Sequence, residues 1–401
     1  MSHVLVLAGV TSLVVMSALA TGRDAQIASS ASIPETDAGP TVEPTPATPA
    51  WLAQASLDLS AAATLDPRAV LPLWVRTTRE TTLWASSDPS VGLAVGSLPI
   101  SGYLRPLGKF VSGRLQVYFP GDGARPSAQA WVDVIGLEPS SGPSLPRVAP
   151  PQRVAGVDPP NVTALHVAIV DDASGQLIYG ESPDTRVPQA STTKIATTIV
   201  ALERAADLQQ KIKVTVSATA MAAADGSSTM GLEPGEQVKL ETLLYGMMLP
   251  SGNDAAEQVA VSLGGSRATF VGWMNQEAEA LGLKNTHFVN PSGMDADGHY
   301  SSAYDMAMLA RYAMNNPTFR TLAGTAHYTS DGYPMKNLNR LLGVYPGADG
   351  VKIGETDNAG KTIVASAVHD GHRLYISLMH SADLAGDCAA LFDWAWDAFT
   401  W

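Results

Sequence analysis

The sequence predicts an α+β (mixed α/β) catalytic block preceded by a small all-β barrel. Three observations carry this. Short runs of β-branched and aromatic residues, broken by Gly, Pro, Ser and Asp, crowd the stretch from Trp74 to Leu137. Beyond them, residues 161–401 hold strand-like runs at both ends and helix-spaced apolar residues between. A Pro-rich stretch, PSSGPSLPRVAPPQRVAGVDPP, separates the two.

Residues 1–20 contain an uncharged run, VLVLAGVTSLVVMSALA, closing on Ala18-Leu19-Ala20, the A-x-A pattern a signal peptidase cuts. The run is a little short of the roughly 20 residues a spanning helix needs. No Lys or Arg precedes it, His3 and the amino terminus being its only basic groups, and it reads as a signal peptide or a retained membrane anchor. Residues 21–66 are read as a disordered tether, because the Thr, Pro, Ala and Ser that dominate its first part bury too little apolar area to offset ordering entropy. In residues 67–138 the runs Trp74–Thr77, Thr82–Trp84, Tyr103–Arg105, Arg114–Phe119 and Ala130–Val134 read as strands of a small barrel or sandwich. The Val75-Arg76 strand, the Ser87-Asp88-Pro89 turn and the Ala130-Trp131-Val132 strand resemble a bacterial Src-homology-3-like domain. That resemblance implies either a cell-wall ligand or a spacer role. Residues 139–160 are the Pro-rich linker.

The block at 161–401 opens on a hairpin, with Leu165–Val170 as one strand, Asp171-Asp172-Ala173-Ser174-Gly175 as the turn and Gln176–Tyr179 as the partner. Its middle is helical: Ile195, Ile199 and Leu202, then Val259 and Leu263, then Met306, Leu309 and Ala313 recur at helix spacing. Strand returns at Val351–Ile353, Lys361–Val368 and Arg373–Met379, before a closing helix over Leu384–Phe399. Strands from both ends with helices between them predict one sheet covered by helices.

Composition narrows the function. The 401 residues are 45% hydrophobic, enough for a large core. A net charge of −13 without any Lys/Arg cluster argues against nucleic acid or an anionic membrane surface as the main partner. The single cysteine, Cys388, excludes an intrachain disulfide and a Cys-rich zinc site, and reads as a small buried apolar residue. His369 and His372 fall in a predicted turn and read as solvated, so neither a metal nor a cofactor is expected.

Three short motifs carry the chemistry. Ser191-Thr192-Thr193-Lys194 stands at a predicted helix start, with Lys194 one turn beyond Ser191 on the same face. A serine hydroxyl needs an adjacent base, and lysine serves only if burial or a neighbouring cation lowers its pKa. Ser251-Gly252-Asn253 falls in a loop between two predicted helices, where a hydroxyl and an amide can enter a cleft and relay a proton. Either Asn253 or Asp254 can instead cap the following helix, and Asp254 can do so while Asn253 serves the site. Lys352-Ile353-Gly354 lies on a predicted strand; Lys352 would bring positive charge, and Gly354 would let substrate approach the backbone.

The motifs occur in the order of the serine–lysine acyl-transfer pattern, and their surroundings are similar to one family, the low-molecular-mass D-alanyl-D-alanine carboxypeptidases among the penicillin-binding proteins. The similar stretches include Gly226-Ser227-Ser228, Leu232-Glu233-Pro234-Gly235, Leu249-Pro250-Ser251-Gly252-Asn253-Asp254-Ala255, Leu281-Gly282-Leu283-Lys284-Asn285-Thr286-His287-Phe288, Gly293-Met294-Asp295 and Asp349-Gly350-Val351-Lys352. The resemblance implies the penicillin-recognising serine hydrolase (β-lactamase-like) fold. It implies Ser191 as nucleophile, Lys194 as its base, Ser251 and Asn253 in proton transfer and positioning, and Lys352 with Gly354 at the substrate carboxylate. The main-chain N–H groups of Ser191 and Glu355 would form the oxyanion hole. The implied partners are a peptidoglycan stem peptide ending in D-Ala-D-Ala and β-lactams as covalent inhibitors, met outside the cytoplasmic membrane of a bacterium.

The third motif departs from the family. Ile353 replaces a threonine whose hydroxyl contacts the substrate carboxylate, a loss of about 1.5–3 kcal/mol. Glu355 adds a carboxylate to the same strand. Three readings follow: a carboxypeptidase, a β-lactamase or DD-endopeptidase using the same centre, or a catalytically weak cell-wall-binding protein.

Overall fold

A computed structural model of the chain describes residues 73–121, 128–142 and 148–401. The expected signal segment and tether lie outside these residues, as do 143–147 of the expected linker.

The first described strands are β1 (Trp74–Thr77), β2 (Thr81–Trp84), β3 (Ala94–Leu98), β4 (Tyr103–Val111), β5 (Arg114–Phe119), β6 (Ala128–Asp133) and β7 (Leu137–Ser140). They form a seven-stranded sheet in the order β3-β2-β6-β5-β4-β1-β7. Val75, Leu83, Leu104, Leu115, Val117 and Val132 alternate inward and fill its core. Two of these strands go beyond the sequence expectation. β3 (AVGSL) is exposed at all but its last residue, so it lacks an alternating apolar face. β7 runs into the stretch read as linker, and its Pro139 is tolerated because β7 is an edge strand.

The second sheet uses strands from both ends of the remaining chain. After the short β8 (Gln152–Arg153) come β9 (His166–Asp171) and β10 (Leu177–Glu181). Two small antiparallel pairs follow, β11 (Lys211–Lys213) with β12 (Gln237–Lys239) and β13 (His327–Ser330) with β14 (Tyr333–Lys336). The late strands are β15 (Ala348–Thr356), β16 (Gly360–His369), β17 (His372–Ser381) and β18 (Phe399–Thr400). The five-stranded sheet has the order β10-β9-β17-β16-β15 and every pairing is antiparallel. Alternation along β16 and β17 gives the sheet two apolar faces. Ile363, Ala365, Leu374 and Ile376 point to one cluster, Val364 and Tyr375 to the other.

The helices are α1 (Lys194–Arg204), α2 (Ala218–Asp225), α3 (Leu240–Met248), α4 (Asn253–Gly264), α5 (Arg267–Ala280), α6 (Ala303–Met314), α7 (Pro317–Gly324) and α8 (Leu384–Ala398). α8 covers the Ile363 face and buries Cys388, while α1, α3, α4, α5, α6 and α7 share the larger cluster. Side-chain caps fix several starts: Ser217, Ser266, Ser302, Asn316 and Asp383 each accept a first-turn N–H. The closing helix stops one residue earlier than expected, because Phe399 pairs with Arg153 in the β8–β18 ribbon. The structure is therefore mixed α/β with a mainly β region ahead of it.

Candidate active site

Ser191 does not begin a regular α-helix; it sits in a 3₁₀ turn, Ala190–Thr193, that leads into α1. Ala190 has φ +49, a region most side chains avoid. The turn is held there from both sides. The Gln189 carbonyl accepts from Thr192 Oγ1 at 2.6 Å and from Thr362 Oγ1 of β16 at 3.1 Å. Gly354 faces the turn so closely that a Cβ would lie 2.6 Å from Ser191 N and 2.9 Å from Ala190 Cβ. The bare Cα of Gly354 thus admits the Ser191 turn, a close approach the sequence reading did not foresee. Gly293, at φ +93, makes the same allowance for the Ala190 carbonyl from the opposite side.

Lys194 is fully buried, and its Nζ lies 2.8 Å from Ser191 Oγ, 2.6 Å from Asn253 Oδ1 and 2.7 Å from the Ser292 carbonyl. Burial, followed by the charge of Lys352, pushes its pKa well below that of a free lysine. A neutral amine has two N–H bonds and one lone pair. With the N–H bonds given to Asn253 and Ser292, the lone pair faces the Ser191 hydroxyl. Lys352 is also buried, its Nζ donates to the Ile353 carbonyl at 3.0 Å, and burial brings its pKa down to about 7.

Asn253 and Asp254 divide the work of the second motif. Asn253 begins α4, accepts from Lys194, and donates through Nδ2 to Ser227 Oγ at 3.1 Å. Asp254 accepts from its neighbour Ala255 N and from Met230 N, Gly231 N and Leu232 N, all at 2.9–3.0 Å, fastening residues 230–232 beside the site. Ser251 is buried with φ +65 in the connection between α3 and α4. On β15, Lys352 and Gly354 share the face toward the Ser191 turn. Ile353 alternates to the other face, half-buried against the cluster beneath α8 and paired with Ile363. Glu355 follows on that side, exposed to solvent and across from Lys361.

A family profile described as D-alanyl-D-alanine carboxypeptidase (peptidase S11) matches residues 153–383, more than half of the chain. The chain belongs to this carboxypeptidase family. It is 37% identical over 209 residues to D-alanyl-D-alanine carboxypeptidase DacF of Bacillus subtilis, covering 51% of this chain and 54% of that protein. It is 36% identical over 255 residues to D-alanyl-D-alanine carboxypeptidase DacB2 of Mycobacterium tuberculosis, covering 61% and 86%. The chain thus spans little more than half the length of some curated relatives. The crystal structure of the Streptomyces K15 DD-transpeptidase matches with a TM-score of 0.57 at 32% identity, over 60% of this chain and all of that one. The seven-stranded sheet lies outside the matched residues.

Several residues of this carboxypeptidase-family site escape sequence reasoning. Ser292 contributes only its carbonyl, and Asn290 Oδ1 shapes that loop by accepting from Gly293 N at 2.6 Å. His299 lies behind the Ser191 turn. Burial lowers its pKa to about 4, so the ring is neutral near pH 7. Its Nδ1 accepts from Val289 N at 2.9 Å, which puts the proton on Nε2, 2.9 Å from Thr193 Oγ1 and 3.0 Å from the Gln189 side-chain amide. With the amide nitrogen turned inward, Gln189 Oε1 has no partner. Turned outward-for-inward, that oxygen accepts from Nε2–H, so the imidazole tautomer selects the oxygen-inward orientation. The one sequence signal for this region is the Gly293-Met294-Asp295 stretch.

Proposed function

We propose that the chain is a serine-type D-alanyl-D-alanine carboxypeptidase that removes the terminal D-alanine from peptidoglycan stem peptides through an acyl-enzyme, and that penicillin acylates it. The 2.8 Å contact between Ser191 Oγ and a buried Lys194 of lowered pKa carries this reading. Ser191 Oγ attacks the carbonyl of the penultimate residue and gives its proton to Lys194 Nζ. The main-chain N–H groups of Ser191 and Glu355 take the developing oxyanion. As the C–N bond breaks, the proton passes through Ser251 to the leaving amine, with Asn253 holding Lys194 in place. Water then cleaves the ester and regenerates the serine. Lys352 supplies positive charge for the terminal carboxylate.

Export by residues 1–20, the tether at 21–66, a Src-homology-3-like domain at 67–138, a linker at 139–160 and a catalytic domain at 161–401 belong to the same proposal, as does a cell-wall ligand of the small domain. Together they would set the catalytic domain beside peptidoglycan on the outer side of the membrane. Fluorescent penicillin should label the protein covalently, and Ser191→Ala should abolish labelling; an unlabelled wild type sinks the reading. In parallel, Ile353→Thr should leave D-alanine release from a stem pentapeptide close to wild type, because the residue 353 side chain turns to the cluster beneath α8 and away from the Ser191 turn; a rise of about 10-fold would instead put that side chain at the substrate carboxylate.

A further inference from the structure

α1 has two differently engaged ends. Its first turn carries Lys194 beside Ser191, and its last turn is clasped by the seven-stranded sheet. The carbonyls at a helix C-terminus have no partners within the helix. Here Gln129 of β6 supplies them: its Nε2 lies 2.7 Å from the Glu203 carbonyl and 2.6 Å from that of Ala205. Arg204 Nη1 donates to the Leu107 carbonyl of β4 at 3.2 Å, with its guanidinium over the Trp273 ring. Arg105 of β4 reaches Glu277 of α5 at 2.8 Å, and both side chains are at least nine-tenths enclosed. Tyr312 of α6 donates to the Glu203 carboxylate at 2.6 Å, and Asn316 donates to Tyr118 of β5 at 3.1 Å.

This arrangement differs from a module swinging on a linker. A swinging module would leave Arg105 in water, whereas here the guanidinium is buried against a carboxylate of the other layer, an arrangement that is costly to break. All described residues also belong to one compact unit. α1 is about 16 Å long at 1.5 Å per residue, so a tilt of about 4° at its end moves the first turn by about 1 Å. Misplacements of that size cost on the order of 100-fold in rate.

We propose that the seven-stranded sheet is a fixed brace on α1, and that Gln129 and Arg105 are positioning residues for acylation at Ser191. The proposal rests on the acyl-transfer reading given above. It assigns the β4–β6 face to the helices and leaves any wall ligand to the rest of the sheet.

The test reacts the full chain with fluorescent penicillin and reads the acylation rate constant separately from the final fraction of chains labelled. Wild type is compared with Gln129→Ala, Arg105→Met and Arg105→Lys. The expected result is a rate constant lowered about 10-fold in Gln129→Ala and Arg105→Met, with labelling still running to completion and partial recovery in Arg105→Lys. A smaller labelled fraction at an unchanged rate constant would mean that these contacts only help the chain fold, and overturns the brace. So does a rate constant unchanged in both variants. A wild type that takes no label instead removes the acyl-transfer reading on which the brace depends.

Discussion

At Lys194 three acceptors meet one buried amine, and the direction of protons among them depends on pH. Acylation needs the neutral amine, so its rate should rise as pH climbs through the lowered Lys194 pKa. Lys352 contributes to that lowering, and Lys352→Met should move the acid limb of the penicillin-acylation profile to higher pH. A limb that stays put would show that burial alone sets the Lys194 pKa. Gly354 gives a steric counterpart: Gly354→Ala sets a methyl 2.6 Å from Ser191 N, and should cost about 1–3 kcal/mol in urea unfolding besides slowing acylation. Ser191, Lys194 and Asn253, which the fold brings together, and Lys352, whose charge reaches Lys194, were singled out in the sequence because their side chains form a spaced pattern. Ser292 was not, since any residue can offer a carbonyl, and His299 was not, since it works from behind the turn.

Among the elements, the segment at residues 226–232 is irregular, and its second half, Met230–Leu232, is held through one carboxylate. Asp254 takes four backbone N–H groups, those of Met230, Gly231 and Leu232 and that of Ala255 in its own helix. Asp254→Ala would strand buried donors at about 1–3 kcal/mol each, partly relieved by water. We expect it to lower stability by about 3 kcal/mol in chemical denaturation, and to expose residues 226–232 to limited proteolysis while α4 stays protected. Unchanged cleavage would mean that the segment holds itself. Helices α1, α3, α4, α6 and α8 and the β15–β17 strands were legible because burial on one or both faces leaves an apolar period; α2, α5 and α7 were not, and α2 buries only Ala218. β3 and β7 were not: one has no buried face over most of its length and the other begins inside a Pro-rich run. The turn at Ala190 escaped too, because its shape comes from Gly293 and Gly354, both distant in sequence.

For the molecule as a whole, the layer between the two sheets ties stability to pH. Glu203 faces Glu277, Arg105, Arg204 and Tyr312, and burial, then the Glu277 charge, pushes its pKa up to about 8 from 4.5. A carboxyl whose folded pKa is raised adds stability that is complete below its unfolded pKa and lost as pH rises through the folded one. Stability should therefore decline between about pH 4.5 and 8, and Glu203→Gln should flatten that decline in thermal melts. An equally steep decline in the variant would place the titrating group elsewhere.

The β8–β18 ribbon bears on how the chain can be handled. Gln152 and Thr400 are paired, so the route into the family-matched fold and the route out of its closing helix meet at one point on the surface. Paired strands lie about 4.8 Å apart. A dye at residue 152 and a second at Trp401 would therefore report by contact quenching whether this fastening is shut, without touching Ser191.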